Sequence, residues 1–166
     1  MASEVLHLEL SGVAEQIARF EAMQARAQNL SPVWDVVHHA FAHEMADQFM
    51  SQGAYINGEE WAPLNPDYAK RKLKFFNPPA PFGILYRTGR LFESLATESG
   101  EHVYEPSAQA VTMGTTVPYG KYHQTGTEHL PKRKIIGLRN RFAQLVFRAT
   151  VRWIVGGTVA TADGEG

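Results

Sequence analysis

The sequence predicts an α+β fold: amphipathic helices packed on a small antiparallel sheet, with a long proline-rich loop or arm. Three observations lead there. Apolar residues recur at helical spacing in 13–30, in 31–53 and again in 138–155. Short runs with strand character occur at 5–11, 102–106 and 110–116. Five prolines fall within 54–83, which breaks any long element there. Helical patterns at both ends with a late β pair favour helices against an antiparallel sheet over a parallel α/β arrangement.

The first element is "VLHLELS" (5–11), where Leu6, Leu8 and Leu10 alternate with Val5, His7 and Glu9 as in a half-buried strand. Ser11-Gly12 breaks it. Val13, Ile17, Phe20 and Ala27 then recur at helical spacing among good helix formers. The second helix carries the plainest start signal, with Ser31 expected as N-cap and Pro32 as first helical residue. Val33, Val37, Phe41, Met45 and Phe49 recur every four residues, and Gly53 is expected to end it.

Within the loop-rich 54–83, a short helix is expected from Pro66 to about Phe75, capped by Asn65. "NPPAPFG" stops it. Thr88-Gly89 precedes another short helix, Arg90 to Ala96. "HVYEP" and "AVTMGTT" follow as two strands around the turn-like "SAQ". The last helix places Leu138, Phe142, Leu145, Val146, Ala149 and Trp153 on one stripe, flanked by Arg139, Arg141, Arg148 and Arg152. Residues 1–155 read as one domain, and 156–166 as a flexible tail.

At 166 residues the chain can bury a sizeable core without staples. Having no cysteine, it has no disulfide framework, thiolate metal site or cysteine nucleophile. Neither a signal peptide nor a membrane span is expected. Charge is uneven. Residues 1–60 hold nine acids and two bases, whereas 61–166 hold eight acids and fourteen bases. Faces of opposite potential are one reading, serving contact between copies or proximity to a polyanion; the other is ordinary solvated charge.

Chemistry-bearing candidates are few. His39 and His43 sit four apart on one helical face, as two metal ligands would, but His43-Glu44-Met45-Ala46-Asp47 is not an HExxH pattern. Ser51, Ser94 and Ser107 lie in no nucleophile elbow. No phosphate-cradling glycine motif is present. "KRKLK" (70–74), "KRK" (132–134) and the late arginines suit phosphate neutralisation, with Tyr122 and Trp153 available for stacking, but no reading module accompanies them. A non-specific DNA-binding protein and a small metal-dependent hydrolase are therefore the alternatives to a structural role.

Four spaced elements occur in order. They are "GEEWAPLNPDYAKRK", "ILYRTGRLFESL", "MGTTVPYGKYHQTGT" and "LPKRKIIGL". Together they resemble the phage virion morphogenesis family, the tail-completion proteins of Mu-like and related tailed phages. The family pattern falls on Trp61, Pro63, Leu64, Ile84, Leu85, Thr88, Gly89, Leu91, Ser94, Gly114, Thr115, Tyr119, His123, Gln124, Gly126, Pro131 and Arg133. "KRKIIG" after Pro131 is more basic than the family's usual version.

The resemblance implies a structural protein without catalysis or cofactor, located in the virion at the neck or tail and assembled in the host cytoplasm. It would complete the tail and enable head–tail joining as a homo-oligomeric ring, six copies by analogy with tail symmetry. Its partners would be itself and neck or tail proteins such as a tail terminator, tail tube or head-completion protein, with room for non-specific contact with packaged DNA and no membrane. Trp61, Lys70, Arg71, Lys72, Lys132, Arg133, Lys134, Arg139 and Arg141 are the candidate contact residues. Thr88, Gly89, Leu91, Tyr119, His123, Gln124, Gly126 and Pro131 are expected to set the fold. On that reading, "YGKYHQTGTEHLPKRKIIGL" (119–138) is a structural joint rather than a catalytic loop or a nucleic-acid clamp.

Overall fold

The computed structural model describes residues 11–79, 83–97 and 99–159. Seven helices and one sheet of two strands form in order among them: α1 (Val13–Gln28), α2 (Ser31–Met50), α3 (Ala54–Asn57), α4 (Pro66–Phe76), α5 (Arg90–Ala96), β1 (His102–Pro106), β2 (Val111–Thr115), α6 (Gly120–Thr125) and α7 (Asn140–Gly156). The fold is α+β, as expected. The strand expected at 5–11 lies outside the described residues apart from Ser11, as does most of the tail beyond 156.

Helix α2 is the axle. Its four-residue apolar repeat buries Val33, Val37, Phe41, Met45 and Phe49 almost completely, between α5 on one side and α7 on another. Leu91 and Leu95 of α5, Phe142 and Ala149 of α7, Trp61, Val117 and Ile135 complete this core. Strands β1 and β2 pair antiparallel, with Tyr104 opposite Met113 and His102 opposite Thr115. A polar seam joins sheet and axle. The Nε2 atoms of His38 and His102 are 2.6 Å apart, His102 Nδ1 lies 2.9 Å from the Ser94 carbonyl, and the Tyr104 ring stacks on His38. Tyr104 also donates its hydroxyl to Asp35, and burial together with that carboxylate pushes the phenol up to about 12.

Two local expectations are corrected. Ser31 is already helical, with Leu30 at the cap position and no side-chain cap bond. The helix start is set by tertiary ties instead: the Leu30 amide donates to the Ala108 carbonyl, and the Trp34 indole to the Ser107 carbonyl. Gly53 lies beyond the end of α2, which stops at Met50, and is the N-cap of α3, an element with too few residues to show periodicity. The Asn65 cap is as expected, its Oδ1 accepting the amides of Asp67 and Tyr68.

Gly53 adopts φ 104°, and a Cβ there would lie 2.5 Å from the Trp61 ring. Gly53→Ala should therefore lose about 2–4 kcal/mol, from the left-handed backbone and from overpacking against a buried indole. Urea unfolding of the variant beside the parent measures this directly.

Candidate functional site

Residues 119–138 form a stitch between elements, and several of them also line a pocket. After β2 the chain turns through buried Val117, whose amide donates to the Thr115 hydroxyl; that hydroxyl also bonds Ser94 of α5 at 2.7 Å. Helix α6 then packs its first residue, Gly120, against Leu91. Gln124 bridges to the returning strand of chain. Its carbonyl oxygen accepts the amides of Ile135 and Ile136, and its amide donates to the Ile136 carbonyl. Gly126 turns the chain at φ 78°, where a Cβ would press on the Lys132 backbone.

The return segment is bonded from the other side as well. The Lys134 carbonyl accepts from the Trp61 indole at 2.9 Å and from Gln48 at 2.8 Å. Gln48 is wholly buried and also accepts the Ile56 amide. The Arg133 guanidinium donates to the carbonyls of Ala62 and Pro63. Thus one stretch ties α2, α3, α6 and the 61–63 segment together. The backbone groups of a non-repetitive segment find partners that a helix or sheet would otherwise supply.

Beside this stitch lies a pocket of about 650 Å³. Its walls include Leu64, Leu85 and Leu130, and Lys72, His123 and Arg133 also line it. No Asp or Glu is among its lining residues. Lys72 and Arg133 are each 5% exposed. The Lys72 ammonium donates to the Gly83 carbonyl. Among the described residues the one salt bridge is Arg90–Glu101, on the surface. Burial foremost, and the neighbouring Arg133 charge second, hold Lys72 and His123 below their ordinary values; burial does the same to Arg133. His123 Nδ1 is buried without a hydrogen-bond partner among the described residues.

The lowered His123 has a consequence for stability. Below its ordinary value of about 6.5 the unfolded chain takes up a proton that the folded chain resists, so stability falls as pH drops through that point. His123→Gln should flatten the fall between neutral and mildly acidic pH, read as urea midpoints along a pH series. An unchanged slope would place the titration elsewhere.

The nine candidate contact residues divide. Trp61, Lys72 and Arg133 are enclosed by their own chain, the first in the core and the other two around the pocket. Lys70, Arg71, Lys132 and Arg141 are exposed. Lys134 and Arg139 are half-buried, the latter with its guanidinium 4.3 Å from the Tyr55 ring centre. Of the residues expected to set the fold, Gly89 precedes α5 at φ 88° and Leu91 is core. Thr88, Tyr119, His123 and Pro131 all line the pocket. His39 and His43 are exposed, and His39 Nδ1 is 2.7 Å from the Asp35 carbonyl of its own helix. Among the described residues no group of three or more His, Asp or Glu side chains could hold a metal ion, and no helix is long and apolar enough to cross a membrane.

Sequence reasoning missed the pocket and its buried cations. "KRK" reads as a surface run, and nothing in its spacing says that the middle residue turns inward. It also missed how α1 is mounted. That helix buries none of its residues, and Val13, Ile17 and Phe20 are more than half exposed.

Nothing matches among the curated proteins or the solved structures. The match is to a family model, described as the phage virion morphogenesis family, over residues 12–154. That span runs from the residue before α1 almost to the end of α7, including the stitch and the pocket. The chain belongs to the phage virion morphogenesis family.

Proposed function

We propose that this protein completes the phage tail at its neck end, enabling it to join the head, and that it works as a ring of identical subunits. The observation that carries the reading is the family match across 12–154, which supports a structural role in virion morphogenesis. The internal bonding of the motif residues fits such a role. Gln124, Arg133, Trp61 and the Ser94–Thr115 pair all hold backbone or each other, so a substrate is not needed to account for them.

A ring requires heterologous contacts, in which one face of a subunit meets a different face of the next. The uneven charge supplies candidate faces. Neck and tail proteins are the further partners, with Lys70, Arg71, Lys132 and Arg141 exposed toward any polyanion within reach.

Negative-stain microscopy of particles from a phage lacking this gene tests the function. Filled heads and finished tails lying apart, joined on adding the purified protein, are expected. Intact infectious particles would refute it. The double reversal Arg139→Glu with Arg141→Glu should weaken self-association or docking by about tenfold or more. Unchanged sedimentation and unchanged joining activity would remove these arginines from the contact.

A further inference from the structure

Among the described residues one feature of this chain lacks a counter-charge and another lacks apolar cover, and their chemistry is complementary. The first is the pocket beside the stitch, apolar in its walls and cationic where Lys72 and Arg133 line it. Nearly buried cations without a carboxylate beside them are unfavourably placed, because they have lost water and gained no opposite charge. The second is the outward stripe of α1.

Val13, Ile17, Phe20 and Gln24 follow the helical repeat and share one face, with Glu21 at its edge one turn after Ile17. Apolar residues normally turn a helix toward its core. Here the attachment to α7 runs through polar groups and one indole. The Arg26 guanidinium donates to the carbonyls of Ile154 and Val155, and the Trp153 indole donates to the carbonyls of Arg26 and Asn29. The stripe is left facing solvent, with Phe20 66% exposed.

We infer that the pocket of one copy receives the α1 stripe of a second copy, with Phe20 against the leucine walls and the Glu21 carboxylate toward Lys72 and Arg133. This rests on the ring reading above and names the surfaces that would make it. Size agrees, since about 650 Å³ admits a few side chains and not a whole helix. Charge agrees at the residue proposed to enter, because Glu21 is the acid beside the stripe, Arg19 and Arg26 fall on the other side of the helix, and no acid lines the pocket. A carboxylate would also relieve the depression of Lys72 and His123 that burial imposes. Stripe and pocket are different surfaces, so the contact is heterologous and repeats from copy to copy. A flexible side chain can enter this pocket, whereas the phosphates of a duplex are confined to the outside of a wide rod.

The absence of cysteine makes the test clean. Chains carrying Gln24→Cys are mixed with chains carrying Leu130→Cys, and a short bis-maleimide is added. Both positions are exposed, so both variants should fold. The expected result is a cross-chain product at least about tenfold above that of a control pair, Gln24→Cys with Glu105→Cys on the sheet. Adding Glu21→Lys to the first chain should cut it about tenfold or more. A product no greater than the control overturns the inference, and so does one indifferent to Glu21→Lys. Competition by duplex DNA for the Leu130 site, without a cross-chain product, would assign the pocket to a polyanion and likewise overturn it. If the unaltered protein joins heads to tails while this pair gives no product, the inference falls and the assembly reading stands. If the protein fails to join them, that reading falls on its own evidence.

Discussion

Trp61→Ala is expected to lower the unfolding free energy by about 3–5 kcal/mol, the usual range for truncating a buried tryptophan. The indole is 5% exposed and meets Phe49 edge-on, with ring centres 5.3 Å apart and planes at 84°. Its N–H also donates to the Lys134 carbonyl, so the loss combines a cavity with a broken tie. Gln48 continues to satisfy that carbonyl, which keeps the loss within the range given. Chemical denaturation measures the change. A loss below about 1 kcal/mol would mean that Trp61 does not anchor the 61–64 segment to α2.

Gln124→Ala should cost about 2–4 kcal/mol although the residue is only half-buried. The reason is arithmetic of partners. One side chain serves the amides of Ile135 and Ile136 and the carbonyl of Ile136, so its removal leaves three backbone groups to find water or remain unpaired. Ile135 is core, at 2% exposure, which limits access to water. Gln124→Glu separates the contributions: the acceptor survives for the two amides, while the donor to Ile136 is lost. It should fall between the parent and the alanine variant, and hydrogen exchange at the Ile135 and Ile136 amides should stay slow in it and become fast in Gln124→Ala. Equal exchange in both variants would argue that something else protects those amides.

Legibility in the sequence followed the physics of each element. Helix α2 was plain because its apolar repeat meets neighbours on several sides, and a strong period survives whatever the loops do. Helix α4 was plain because Asn65-Pro66 is a local start signal that acts through its own next two amides. Helix α1 could be read as a helix from its period, but its mounting could not. The same pattern would suit a stripe turned inward, and the outward turn is decided by Arg26 and Trp153, which lie 127 residues apart.

The interior of the stitch was hidden for a similar reason. The periodicity of "LPKRKIIGL" is silent on which carbonyls will accept from Trp61, Gln48 and Gln124. Lys72 and Arg133 were legible as charges and illegible as buried ones. There Lys72 is met by the Gly83 carbonyl across a loop, and Arg133 by the Ala62 and Pro63 carbonyls from far along the chain. The pocket is accordingly a tertiary product, with no local sequence signal of its own.

As proposed above, this chain is an assembled component of the particle, held copy to copy at the junction of tail and head. Cryo-electron microscopy of purified virions tests it most directly. The expected result is a closed ring of density at the head-proximal end of the tail, into which this fold fits with α1 of each copy entering the pocket beside residues 119–138 of the next. Virions with no copy of the chain at that junction, or with single copies making no contact with one another, would contradict it.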